Sequence, residues 1–115
     1  MADLSIDRST LNDEWESLAV AGEIDLATAE QFEKAIADVH DGCDLGLVVD
    51  LSGTSFMDST GLRSIIMADR KFRESDRKFA LAVNGGPISR LIDMSGVEQS
   101  ITIISNVEEL AGSND

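Results

Sequence analysis

A chain of 115 residues is long enough to bury a core without disulfide or metal staples, and its 22 acidic against 9 basic residues leave a net charge of −13. That charge repels phosphate backbones and anionic lipid surfaces, so direct nucleic-acid binding is disfavoured; it suits either solubility or a partner with a basic face. With 43% apolar and 27% charged residues the composition is soluble and globular, and no apolar run approaches the ~20 residues of a bilayer span.

A short strand is expected around Leu4 and Ile6. The polar cluster Asn12-Asp13-Glu14 then reads as a turn, and the apolar stretch WESLAVAGEI, Trp15 to Ile24, as the strand that leaves it. A helix follows, with Asp25 or Thr28 as its N-cap and Gln31 at capping-box spacing from Thr28. Ala29, Phe32, Ile36 and Val39 recur on one helical face until Asp41-Gly42 stops the pattern.

Residues 45–51, LGLVVDL, read as a covered strand, with Ser52-Gly53-Thr54-Ser55 as the loop behind it. Phe56-Met57-Asp58-Ser59-Thr60-Gly61-Leu62 opens a second helix, whose inward stripe is Leu62, Ile65, Ile66 and Phe72. Arg70, Lys71 and Arg73 near its end complement the helix dipole. Residues 79–83 form the next strand, Pro87 the first turn of a third helix carrying Ile88, Leu91 and Ile92, and Gly96 its stop. A last strand at 101–104 and a short helix at 106–110 complete the series, with residues 112–115 frayed. Strands alternating with helices make one α/β domain over residues 1–115, ordered over about 3–111, and nothing in composition divides it.

Catalytic and metal chemistry find little support. His40 is the only histidine and reads as a solvated residue near a helix C-terminus, so no base is evident for a serine nucleophile. One Cys and one His cannot make a structural zinc site, Asp41 and Asp44 lack the rhythm of a calcium loop, and Gly85-Gly86 lacks the spacing of a phosphate-binding loop. The chain is therefore read as a non-enzyme with no cofactor. Cys43, without a partner for an internal disulfide, fits a reducing cytoplasm, and Met1-Ala2-Asp3-Leu4-Ser5 lacks the features of a signal peptide.

The informative segment is Met57-Asp58-Ser59-Thr60-Gly61-Leu62. With Asp58 as N-cap, Ser59 and Thr60 fall in the first helical turn, where N–H groups lack intrahelical partners and the dipole tolerates an anion. A phosphate on Ser59 then leaves the fold intact and places charge beside Asp58 and Asp25 at a docking edge. Thr60, Arg63 and Met67 follow at helical spacing off the inward stripe and extend that face.

Gly22-Glu23-Ile24-Asp25, Asp50-Leu51, the Asp58-Ser59-Thr60-Gly61-Leu62 segment and Leu91-Ile92-Asp93-Met94-Ser95-Gly96, in that order, resemble the bacterial anti-sigma factor antagonists of the STAS family. The resemblance implies a mixed sheet with helices packed mainly on one side. It also implies partner switching: the unmodified chain binds an anti-sigma factor that is a serine kinase and frees the sigma factor. Phosphorylation at Ser59 reverses this, and a PP2C-type phosphatase resets it. Together with the face read from helical spacing, this makes Glu23, Asp25, Asp58, Ser59, Thr60, Gly61, Arg63 and Met67 the expected partner-binding positions. Arg63 stands where similar antagonists often have glycine. The alternative is a STAS regulatory subunit of a transporter or a stressosome.

Overall fold

The structure, a computed structural model, describes residues 4–111. Asn12 makes the first reversal: its Oδ1 accepts hydrogen bonds from the N–H groups of Glu14 and Trp15, each at 2.9 Å. Strand β1 (Leu4–Thr10) therefore returns antiparallel as β2 (Trp15–Ile24). Helix α1 (Ala29–Gly42) leads to β3 (Gly46–Met57), and α2 (Ser59–Glu74) leads to β4 (Phe79–Ala82). Helix α3 (Gly86–Ser95) and a 3-10 turn at Val97–Gln99 lead to β5 (Thr102–Ile104), after which α4 (Glu108–Ala111) follows.

The sheet order is β1-β2-β3-β4-β5, antiparallel at β1 and parallel at the other three pairs. Each crossover moves one strand in the same direction, and crossovers of one hand then leave α1, α2 and α3 on a single face. This is the mixed sheet, with helices packed mainly on one side, that the resemblance implies. Alternate residues show the two faces. Leu47, Val49 and Leu51 meet Phe32, Ile65, Phe72 and Ile92 under the helices, whereas Val48, Ala80 and Ala82 join Trp15 on the opposite face under Val107 and Leu110.

Arg77 ties the lower ends of the layers together. Its Nη1 donates to the His40 carbonyl and its Nε to the Leu45 carbonyl, both at 2.8 Å, while the guanidinium lies 4.6 Å from the Phe72 ring centre. His40 is consequently not a solvated residue. It is half-buried, edge-on to Phe72 at 5.0 Å and hydrogen-bonded to the Ser75 hydroxyl at 2.8 Å.

Other expectations are corrected. Strand β3 does not stop at Leu51; Ser52, Gly53, Thr54, Ser55, Phe56 and Met57 continue it, paired with β2 through two register shifts. Thr54 donates its hydroxyl to the Val20 carbonyl and Ser55 to that of Gly22, so turn-type residues are held extended by their neighbour. Gln31 closes no capping box and instead donates to the Leu4 carbonyl at 3.0 Å. Ile66 is 37% exposed, because the stripe that α2 buries runs through Gly61, Ile65, Ala68 and Phe72. The third helix keeps its stop, with Gly96 left-handed at φ 77°. The expected fraying at 112–115 and the expected order at residue 3 lie outside the described residues.

Glu16 is buried beside β1, where its carboxylate accepts from Arg8 Nε at 2.5 Å and from the Thr10 hydroxyl at 2.7 Å. Burial pushes its pKa up, but the Arg8 guanidinium and the Thr10 hydroxyl outweigh burial and hold it below the ordinary value. A depressed folded pKa contributes stability that is present above the unfolded value, about 4.3, and is lost as pH falls through the folded one. Asp69 has the opposite sign: burial raises its pKa and Arg73 offsets this only in part. Glu16→Gln is thus expected to lower the urea midpoint at pH 7, with the gap to the parent closing below about pH 4. A constant gap from pH 7 to pH 3 contradicts this.

Candidate functional site

The ends of two parallel strands build the site. Ile24 of β2 pairs with Met57 of β3, and Asp58 N–H donates to the Ile24 carbonyl at 3.2 Å. Beyond its last pair with β4, Asp50 with Ala82, β3 runs on to Met57 alongside β2 alone. The two chains therefore leave the sheet side by side, each through an aspartate.

Asp25 holds a turn ahead of α1. Its Oδ1 accepts from the N–H groups of Ala27 at 2.9 Å and Thr28 at 3.2 Å. The buried Thr28 hydroxyl accepts from Asp25 N–H and donates to the Glu23 carbonyl. Asp58 is the N-cap of α2, its Oδ1 accepting from Thr60 N–H at 2.9 Å and Gly61 N–H at 3.2 Å. Asp58→Ala removes both acceptors and is expected to destabilise the fold by about 1 kcal/mol, read as a lower urea midpoint; an unchanged midpoint contradicts the capping role.

Because Asp58 does the capping, Ser59 is left with no structural task. It is the first helical residue, it is exposed, and its hydroxyl makes no hydrogen bond within the described residues. Gly61, two residues on, allows the helix to sit against the strand ends. A Cβ there would lie 2.7 Å from Ile24 Cγ2 and 2.7 Å from Met57 Cγ. Thr60 is half-buried, and its carbonyl accepts from the Ser64 hydroxyl at 3.2 Å.

Around Ser59 the surface is acidic and partly apolar. Glu23, Asp25 and Asp58 are half-buried at the strand ends, whereas Arg63 and Met67 are exposed further along α2. Leu26 and Phe56 flank the two aspartates at 80% and 47% exposure. Neither was expected from the sequence. Leu26 lies three residues before Ala29, in phase with the buried stripe of α1, but the turn held by Asp25 removes it from helical periodicity. Phe56 reads as helical only while β3 is thought to end at Leu51.

Among the described residues no histidine stands near the Ser59 hydroxyl. His40 bonds Ser75 past the far end of α2, and sixteen residues of helical rise put that end roughly 24 Å from Ser59. No group of His, Cys, Asp and Glu residues among those described is arranged to hold a metal ion. No helix among the described residues is long and apolar enough to cross a membrane.

The mixed sheet, covered mainly on one side by helices, thus presents an exposed serine hydroxyl beside the aspartate cap of α2 on an acidic edge. The chain belongs to the STAS domain family, whose pattern matches residues 14–110. It is 33% identical over 92 residues to the anti-sigma-F factor antagonist RsfB of Mycobacterium tuberculosis, covering 80% of this chain and 75% of that protein. To the anti-sigma-B factor antagonist of Listeria monocytogenes it is 34% identical over 96 residues, 83% of each chain. Among solved structures, an anti-sigma factor antagonist from Mycobacterium paratuberculosis superposes with a TM-score of 0.85 at 26% identity, covering 98% of this chain and 96% of that one.

Proposed function

We propose that this chain is an anti-sigma factor antagonist whose binding is gated at Ser59. In its unmodified form it docks, through the edge formed by Glu23, Asp25, Asp58, Ser59, Thr60 and Gly61 and the adjoining Arg63 and Met67, onto an anti-sigma factor with serine kinase activity in the bacterial cytoplasm. Docking releases the sigma factor. The kinase transfers the γ-phosphoryl group of ATP to the Ser59 hydroxyl, and a PP2C-type phosphatase hydrolyses it back.

The observation that carries this reading is the division of labour between neighbours: Asp58 caps α2, so the exposed Ser59 hydroxyl can be modified without dismantling the helix start. A phosphate there adds about −1.5 to −2 charges at the positive end of the helix dipole, where the fold tolerates them. The same charges join three carboxylates on the docking edge, where a bound protein has excluded water and repulsion is strongest.

The test is to incubate the chain with ATP and the anti-sigma kinase encoded by its own genome. The reading expects one phosphoryl group per chain and none on Ser59→Ala. Full labelling of Ser59→Ala rejects Ser59 as the acceptor.

A further inference from the structure

One face of α2 reverses the acidic character of the chain. Four of the nine basic residues stand on this helix. Arg73 is paired with Asp69 at 3.1 Å, but the exposed side chains of Arg63, Arg70 and Lys71 make no ion pair or hydrogen bond within the described residues. All three line a cleft of about 650 Å³ between α1 and α2. Ile36 and Ala37 of α1 with Met67 and Ala68 of α2 supply its apolar lining. Of the two carboxylates that border it, Glu33 is held by the Ser64 hydroxyl at 2.5 Å, and Glu74 lies at the far end.

The spacing of these groups says what fits. Arg63, Met67, Arg70 and Lys71 fall at i, i+4, i+7 and i+8, a single stripe along the helix. Arg63 and Arg70 are seven residues and so about 10 Å apart along the axis, which is a row of cations and not a cage around one phosphate. From Thr60 to Glu74 the cleft follows α2 for roughly 21 Å, the length of a fourteen-residue helix.

We propose that this cleft is a docking groove for an acidic amphipathic helix of the protein partner. The helix lays its apolar ridge on Met67 and Ala68 and sets its carboxylates against Arg63, Arg70 and Lys71. The inference rests on reading the chain as a partner-binding domain and adds the chemistry of the segment it receives. The groove opens at Thr60, next to Ser59, and Arg63 lies one turn beyond Ser59. A phosphate on Ser59 therefore competes with the partner's carboxylates for the first cation of the row.

The probe is a lactam-stapled fourteen-residue peptide with a leucine ridge flanked by glutamates, titrated into the full-length chain while amide shifts are followed by NMR. Shifts confined to the facing sides of α1 and α2, with at least tenfold weaker binding in the triple variant Arg63→Gln, Arg70→Gln, Lys71→Gln, support the groove. A second triple variant, Lys34→Gln, Lys78→Gln, Arg90→Gln, removes the same charge elsewhere and is expected to bind as the parent does. Equal binding of a lysine-flanked peptide, shifts outside the cleft, or no loss in the first triple variant overturns the proposal. So does an inert peptide when phosphatidylglycerol vesicles bind through the same three cations, which would make the stripe a membrane contact. Kinase labelling of Ser59 is read in parallel. Labelled chain without peptide binding rejects the groove alone, and peptide binding without labelling rejects the switch alone.

Discussion

Ser59→Glu is expected to weaken binding to the anti-sigma kinase by roughly tenfold or more, which is at least ~1.4 kcal/mol, while the melting temperature stays within about 2 °C of the parent. The stability half follows from the local geometry. The exposed hydroxyl gives up no hydrogen bond, Asp58 retains both of its cap bonds, and a carboxylate at the first helical position is favoured by the dipole. The affinity half follows from the neighbours: Glu23, Asp25 and Asp58 already crowd the strand ends, so another negative charge enters an interface that removes its solvent. Calorimetric titration and thermal unfolding of the same preparation measure both. A variant that binds as tightly as the parent removes the electrostatic gate, and one that melts well below it shows Ser59 to be structural.

Gly61→Ala is the complementary change, adding no charge but disturbing the junction. The new methyl would stand 2.7 Å from atoms of Ile24 and Met57, which are 0% and 5% exposed and have little room to yield. Overpacking of this kind typically costs about 1–3 kcal/mol. Because the obstruction lies between the strand ends and the first turn of α2, relief comes from moving the turn that carries Ser59. The urea midpoint is expected to fall with an unchanged m-value, and partner affinity to fall with it. An alanine variant with parental stability and affinity would show that the close approach has no role in placing the serine.

Much of this was legible in the sequence where one periodicity dominates. The bounds of β2 coincide with an apolar stretch that begins directly after a turn cluster, and Phe32, Ile36 and Val39 mark the buried side of α1. Asp58 as cap and Ser59 just inside the helix follow from residue chemistry alone, since few side chains other than short oxygen-bearing ones satisfy orphan N–H groups.

What escaped was set by partners distant in sequence. The extension of β3 depends on a ladder with β2, and the Thr54 and Ser55 hydroxyls are consumed by carbonyls more than thirty residues away. The same ladder makes Phe56 an exposed strand residue, and Ile66 falls outside the core because the buried stripe of α2 runs through the small residues Gly61 and Ala68. His40 was misplaced because α2 brings Phe72 and Ser75 against it. The basic stripe was hidden in the net charge, for a sum of −13 conceals three unpaired cations on one helix.

The most direct measurement is a calorimetric titration of the purified anti-sigma kinase with two forms of the wild-type chain, one unmodified and one enzymatically phosphorylated. Fragment mass spectrometry confirms the position of the phosphoryl group, and circular dichroism the retained fold. The account predicts phosphate on Ser59 alone, an unchanged spectrum and a dissociation constant raised at least a hundredfold. Equal affinity of the two forms, or phosphate on any other residue, would contradict it.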